Sequence, residues 1–529
     1  MAFGSSVVVP HYRALNANEQ FGNRVDSYLN ISSIPSQNLE IGQRIFDNSS
    51  GAFWQVKSGS INSSFWQAQF GDDASKYAEI VPVFVKASVT LNVPSDFSTL
   101  QEAVNFAYGR FNLSSEIVDI VIGSGHSPAS GVAVTNGDYG FIRISSIDAE
   151  VLLSALFPQS GVFISAENAN APVLNCLVNA GGNGTGYQIH NNSRGYVTAG
   201  NGVKNTWADG LAVRYGSVCC ADDTIWTGAA QNGSTGSGII SWASLTSAER
   251  ADVSGSGYYG AQAAHGGSLG FKDGIASGAT RYGLRASDGA NIDADGATAN
   301  SCGIYGVYAF NGCNINFTSG TATGNTTANI VAVNGSKLCA RSVIATGSLG
   351  DGIICISSVV DLFGGNVSSA AGYGINASGC GIVHASGANC NSAGIHGVLA
   401  ENQANVNFIG GNASNCTLNG VSATDVSTVN AEGATLDDCG QYGVASWYGA
   451  SVNLRNGFAR RAATRGIYAF SGGKIIAKGA NCRKVDLSDT SGASGDIVCV
   501  EGSEIIAHGA VGGVSKAVNT LDTDGVIYQ

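Results

Sequence analysis

The chain of 529 residues is poor in Pro (7), Met (1) and charge: Asp, Glu, Lys and Arg make up 12% of it, about half the ~25% of an ordinary soluble protein. Amphipathic helices draw their outer stripe from Lys and Glu, so this shortage leaves little helical surface. No apolar run reaches the ~18 residues of a membrane span, and the best stretch, Val81 to Val93, is broken by Lys86. No membrane insertion is expected. Positive charge is also scarce, 26 Lys+Arg against 38 Asp+Glu for a net charge of -12, which excludes nucleic acid as a partner. The 13 Cys form no CxxC pair, and Cys302, Cys390, Cys416 and Cys482 read as small buried turn residues, not a disulfide framework. The 7 His contain no HxH or HExxH, so no metal is expected. Glycine-rich runs such as Gly181-Gly182-Asn183-Gly184 lack the Lys-Ser/Thr of a phosphate loop, and no cofactor is expected either. The opening Met1-Ala2-Phe3-Gly4-Ser5-Ser6 lacks a basic region followed by an apolar stretch, which points to synthesis in a reducing cytoplasm.

What the chain has in excess is glycine, 74 residues, alongside 44% apolar content. Without Pro and without a three-residue period this is not collagen, and it is too apolar for disorder. The glycines keep a ruler. Tyr282-Gly283-Leu284, Tyr305-Gly306-Val307, Asp351-Gly352-Ile353, Tyr373-Gly374-Ile375, His396-Gly397-Val398, Asn419-Gly420-Val421, Tyr442-Gly443-Val444 and Arg465-Gly466-Ile467 recur about every 23 residues, with Asn329 standing midway between Gly306 and Gly352. Gly260, Gly238 and Gly210 extend the series upstream, the last after a longer step. Within each repeat, apolar residues favour positions 1, 3, 9 and 11 after the glycine, as in Leu284/Ala286 with Ile292/Ala294. Alternation at period two is a strand with one buried face. Two or three short strands per repeat, with no room for a helix, predict an all-β fold: a right-handed parallel β-helix of ~23-residue coils, each stacking on the last at about 4.8 Å.

Upstream, Val118-Asp119-Ile120-Val121-Ile122, Phe141-Ile142-Arg143-Ile144 and Val162-Phe163-Ile164 read as strands of irregular coils. The segment Ser98 to Ala107 reads as a short helix plugging the first coil, with Thr99 and Glu102 spaced as a capping box. Residues 1–75 show no period, and Ile41 to Val56 read as two strands around a polar turn, a separate small β module.

This arrangement resembles a known family. A short N-terminal β module, then Val93-Pro94-Ser95-Asp96-Phe97-Ser98-Thr99-Leu100-Gln101-Glu102-Ala103-Val104, then a Gly/Asn-rich β-helix, looks like a bacteriophage tailspike with a pectate-lyase-like fold, and Asn136-Gly137-Asp138-Tyr139-Gly140-Phe141-Ile142-Arg143-Ile144-Ser145-Ser146 is similar to phage tail proteins of this kind. The resemblance implies a homotrimer in the virion tail. Residues 1–75 would attach it to phage tail or baseplate proteins, 76–110 would be linker and capping helix, and 111–529 would bind, and often cleave, a bacterial surface polysaccharide. No catalytic motif of the family carries over: the NTD, DD, GHG and RIK segments of polygalacturonases are absent. Two other readings stay open, a purely adhesive tail fibre and a stand-alone bacterial polysaccharide lyase or hydrolase.

Outward residues of a β-helix stand in columns, one per coil, and the columns sort the candidates. Asp437-Asp438 lie one coil before Arg460-Arg461, which predicts an ion-pair ladder instead of acid–base chemistry; Lys272 and Asp295 invite the same reading. Glu249, Asp273 and Asp293 are the candidate catalytic acids, because one and two coil steps supply the carboxyl separations of retaining and inverting glycosidases. His265 and Asp288 share a position on adjacent coils and form a candidate imidazole–carboxylate pair. A lyase would need a base, often Tyr, Lys or His, and a cation to neutralise the sugar carboxylate; Tyr258, Tyr259 and Arg281 are available. For carbohydrate binding, positions 2 and 4 carry Trp242, Tyr308, Phe310, Trp447, Tyr468 and Phe470, rings whose outward placement calls for sugar stacking or a subunit interface.

Overall fold

Tyr259 pairs with Tyr282, Tyr282 with Tyr305, Tyr305 with Ala328 and Ala328 with Asp351, all in parallel register, so the backbone of this computed structural model returns onto itself once per repeat. The structure describes residues 89–111, 117–230, 235–483, 496–514 and 525–529, and four strand segments between residues 25 and 81. The chain divides into two compact units, Met1–Gly123 with Asp138–Ser145, and Ser124–Gly137 with Ser146–Gln529.

The second unit is the expected parallel β-helix. A sheet of sixteen strands, mostly four to six residues long, runs from Val132–Thr135 to Ile497–Cys499. A second sheet of fifteen shorter strands runs from Arg194–Tyr196 to Gly525–Tyr528. A third column consists of single bridged residues, Ile225, Asp252, Ile275, Thr298 and onward to Val511. Fifteen strand steps at ~4.8 Å make the long sheet about 70 Å across its strands.

Each column ends in a left-handed corner. After the long strand this is His265, Asp288, Asn311 or Asn334 (φ 51, 58, 59 and 55); after the short strand Asp223, Arg250, Asp273 or Gly296; after the third column Gly278, Ser301, Gly324, Asp438 or Arg461. Three left-handed corners per coil, the first often holding two such residues (His265 with Gly266, Asp288 with Gly289), explain why Gly, Asn and Asp crowd the sequence, since these types tolerate positive φ best.

The file of glycines is a steric requirement. A Cβ on Gly420 would lie 2.8 Å from the Gly443 carbonyl oxygen and 2.8 Å from the Leu436 Cβ; on Gly443 it would lie 2.8 Å from the Gly466 oxygen and 2.4 Å from the Ala459 Cβ. At the coil between Gly306 and Gly352, Asn329 replaces the glycine and is fully buried, with Nδ2 donating to the Ala345 carbonyl (2.6 Å) and Oδ1 accepting from Asn325 (2.9 Å).

The core adds a longer period. The inward residue after the short strand alternates along the stack: Phe271, Ala294, Phe317, Ala340, Leu362, Ala385, Phe408, Ala431, Leu454, Ala477, all buried. Each large member has Gly three residues on, and its side chain fills the place of the missing Cβ: Phe271 with Gly274, Phe317 with Gly320, Phe408 with Gly411, at 2.5 to 2.6 Å. Small members have Ala or Val there, as in Ala431 with Ala434. The structural unit is therefore a pair of coils, large then small.

In the first unit, Val89–Val93 pairs in parallel with Val118–Ile122, and the helix Leu100–Phe111 packs on both through buried Leu100, Ala103, Val104 and Ala107. The capping box forms: the Glu102 amide donates to Thr99 Oγ1 (3.2 Å), and the Thr99 amide to Glu102 Oε2 (3.3 Å). Arg44–Asp47 and Ala52–Val56 are the antiparallel strands read from the sequence, joined by Val25–Tyr28 and by Ala78–Val81, which lies past residue 75. The rest of the N-terminal module lies outside the described residues.

Phe408→Ala should destabilise the protein by about 3–5 kcal/mol. Gly411→Ala alone should also destabilise, by about 1–3 kcal/mol, yet cost little in the Phe408→Ala background, where the ring no longer occupies the space. Denaturation of the four-member cycle checks this; strictly additive losses would refute the paired packing.

Candidate functional site

The ion-pair ladder expected at 437–438 is present. Arg460 Nε lies 3.0 Å from Asp437 Oδ2, and Arg461 donates to both oxygens of Asp438 at 2.7 and 2.6 Å. Lys272 takes a different partner from the one expected: its Nζ is 3.3 Å from Asp293 and not paired with Asp295, because Asp293 ends its short strand and reaches back across one coil. Asp222 is likewise committed, accepting from the Ser247 hydroxyl (2.7 Å) and the Glu249 amide (2.8 Å).

The candidate acids Glu249, Asp273 and Asp293 all fall at the corner after the short strands. Asp293 holds Lys272 and accepts from Asn316 Nδ2 (2.9 Å), Glu249 faces Arg250 at 3.5 Å, and Asp273 is a left-handed corner residue (φ 53). His265 and Asp288 occupy the other corner, after the long strand, with Nε2 3.9 Å from Oδ2; the imidazole lies against Trp242 with ring centroids 4.0 Å apart. Asp288 also accepts from Asn311 (3.0 Å), and this bond, ahead of any effect of His265, holds its carboxyl below the usual range. The structure thus brings His265 to Trp242, with Asp288 one coil on, but sets the three other acids on a different edge of the coil from the rings.

The rings stand half-buried on the outer face of the long sheet, as read from the alternation, but in two groups and not as one ridge. Trp242, Tyr308 and Phe310 belong to the first; Trp447, Tyr468 and Phe470 belong to the second. The first group extends further than expected. The residue before each glycine also faces outward, and there Tyr259, Tyr282 and Tyr305 stack face to face with centroids 5.2 and 5.3 Å apart, both pairs within 7° of parallel. These tyrosines were visible in the repeat itself, since a shared residue one step before the glycine must stack when the glycines do.

At the upstream end of this stack lies a groove of about 700 Å³, lined by Trp207, Asp209, Arg214, Trp242, Tyr258, Tyr259 and Gln262 among others. Asp209 is the one carboxylate of the lining; it is buried, accepts from Arg214 (2.6 Å) and from the Ser237 amide (2.7 Å), and burial pushes its pKa up in spite of Arg214. Gln262 accepts from Ser237 Oγ (3.1 Å). Arg281 Nη1 donates to the Tyr258 phenol oxygen, and the guanidinium lies 4.9 Å from the Tyr258 ring and 5.1 Å from the Tyr282 ring. Arg285 covers Tyr259 at 5.0 Å. The buried Nε atoms of Arg214 and Arg285 have no partner.

The two adjacent phenols are pushed apart. Burial works to raise the Tyr258 pKa, but hydrogen bonds from Tyr259 and Arg281 and the charges of Arg281 and Arg285 outweigh it and leave the group below the ordinary tyrosine value. Burial pushes Tyr259 up to about 12. The two environments thus shift the neighbouring phenols in opposite directions. Sequence reasoning had Tyr258, Tyr259 and Arg281 as available groups; their convergence follows from the 23-residue step that sets Arg281 directly above Tyr258. Among the described residues no three His, Cys, Asp or Glu converge as a metal site would require.

No family model matches the chain, and no curated protein matches it. Two solved structures show a distant likeness. The A-module of the mannuronan C-5 epimerase of Azotobacter vinelandii is 11% identical, with 81% of this chain and 94% of that one covered, at a TM-score of 0.29. Tailspike protein 3 of bacteriophage CBA120 is 9% identical, with 91% and 74% covered, at a TM-score of 0.27.

Further along the column before the glycines, His396 stacks on Tyr373 (5.6 Å), and its Nδ1 accepts the Asn419 amide (3.1 Å). Burial lowers its pKa to about 4 from the ordinary 6.5. The unfolded chain then takes up a proton that the folded chain refuses, so stability is complete above pH 6.5 and declines as pH falls toward 4, by about 3 kcal/mol from this residue. His396→Tyr should flatten that part of the profile in denaturation measured across the window, and an unaltered slope would assign the acid sensitivity elsewhere.

Proposed function

We propose that this chain is a subunit of a homotrimeric phage tailspike that binds an anionic bacterial surface polysaccharide on the outer face of its long sheet and cleaves it by β-elimination. The hydrogen bond from Arg281 to Tyr258, a lining residue of the groove walled by Trp207, Trp242 and Tyr259, carries the reading. Flat rings stack on the C–H faces of pyranoses, while Arg214, Arg281 and Arg285 gather positive charge on one face of a chain whose net charge is -12. That sign favours a glycan carrying carboxylates. Tyr258 as phenolate takes the C5 proton of a uronate whose carboxylate is held by the arginines. The electron pair forms the C4–C5 double bond, the C4–oxygen bond breaks, and the departing oxygen takes a proton from Tyr259 or from water. Hydrolysis fits this groove less well, because it needs two carboxyl groups and the lining offers Asp209 alone, already paired with Arg214.

The virion role rests on the sequence resemblance at residues 93–104 and 136–146, with the N-terminal module joining the tail or baseplate. Its localisation would be the virion after synthesis in the host cytoplasm. An adhesive fibre would use the same face for binding without turnover.

Host capsules and lipopolysaccharides incubated with the protein should yield fragments with the ultraviolet absorbance of an unsaturated uronate, at a rate that climbs with pH toward the Tyr258 pKa. Tyr258→Phe should lower turnover by about 10²–10⁴-fold while sparing binding, and Trp242→Ala should weaken binding. Retained binding with no product from any glycan would leave the adhesive reading; a monomer in sedimentation would favour a stand-alone enzyme.

A further inference from the structure

Among the described residues, a group of rings with an arginine recurs downstream on the same face. Tyr442, Trp447, Tyr468 and Phe470 form a second ring cluster: Tyr442 and Tyr468 stack at 4.8 Å, and Trp447 meets Tyr468 and Phe470 edge-on at 5.4 and 5.7 Å. Arg465 lies over Tyr468 at 5.6 Å, and its Nε is buried without a partner, as the Nε of Arg285 is in the first cluster. Between the clusters the position-2 column carries Val331, Ile354, Asn376, Leu399, Ser422 and Ala445, none of them a ring or a cation. Only the column before the glycines keeps rings there, Tyr373 and His396. A subunit interface built from rings alone would have no use for a second half-buried arginine with an unpartnered Nε, whereas a carboxylate-bearing sugar supplies both the flat face and an acceptor for the guanidinium.

We propose that the Tyr442–Trp447–Arg465–Tyr468–Phe470 cluster is a second, non-catalytic subsite for the same anionic glycan, so that one polysaccharide chain is held at two places along one face. The inference rests on the reading of the first groove as a glycan site. Seven strand steps separate Tyr308 from Tyr468 through the paired residues, about 34 Å at ~4.8 Å per step. The second cluster has rings and a cation but no phenol contacting an arginine as Tyr258 does, so it binds without turning over. Holding the chain at a distance makes release of a cut end slow and rebinding intramolecular, which raises affinity for long chains without any new contact.

The test uses the full chain carrying Tyr258→Phe, so that the probe survives, and oligogalacturonates of graded length as the probe in calorimetric titration. Fragments shorter than ~34 Å should bind two per chain, and longer ones one per chain with affinity raised on the order of 10²-fold or more. Trp447→Ala with Arg465→Ala should reduce short fragments to one per chain and abolish the gain with length; Arg465→Gln, which keeps the packing, should weaken the second site alone. Trp242→Ala with Arg285→Ala should leave the second site binding by itself. One short fragment per chain, unaffected by the changes at Trp447 and Arg465, overturns the second subsite and leaves the first reading standing. No binding at all overturns both.

Discussion

A repeat of about 23 residues forces chemically equivalent atoms to within about 4.8 Å of one another along the stack, and the rest of the molecule answers to that spacing. The position that tolerates it least is the start of the long strand. There the next coil's carbonyl and an inward side chain of the third column both approach so closely that a Cβ has no room, as at Gly420 and Gly443. Like groups must be made to agree with their own copies above and below. Tyrosines agree by stacking, Asn311 with Asn334 and Asn314 with Asn291 by amide hydrogen bonds, and several acids through a cation on the neighbouring rung.

That last condition explains what became of the acids. A column of like charges at this distance repels, so Asp223 is answered by Arg250, Asp437 by Arg460 and Asp438 by Arg461. These bonds hold the carboxyls of Asp223 and Asp438 below their ordinary range. Others serve the backbone: Asp273 and Asp288 sit where the chain turns left-handed, a conformation that aspartate accepts. Much of the acidic surface is thereby spent on corners and ladders.

The architecture was readable because its cause is local and periodic. The glycine file, inward positions 1, 3, 9 and 11, the capping box at Thr99 and Glu102, and the Asp437–Arg460 rung all follow from counting. Counting by single coils, however, hides the alternation of Phe317, Ala340, Leu362 and Ala385, since a large residue and its compensating glycine appear in every second repeat; a ruler twice as long would have shown it. The Lys272–Asp293 pair escaped for another reason. Side chains as long as lysine reach diagonally, so position in the repeat does not name the partner.

The candidate site was legible in its parts and not in their convergence. Position 4 named Trp242, and availability named Tyr258, Tyr259 and Arg281, but Asp209 and Arg214 stand on either side of Gly210, at the far end of the long step to Gly238, where the ruler stretches and the column count is lost. The groove sits at that irregularity. A coil that departs from the repeat breaks the ladder and lets groups from several columns face one another. The periodic part supplies the straight face along which a polymeric ligand can lie.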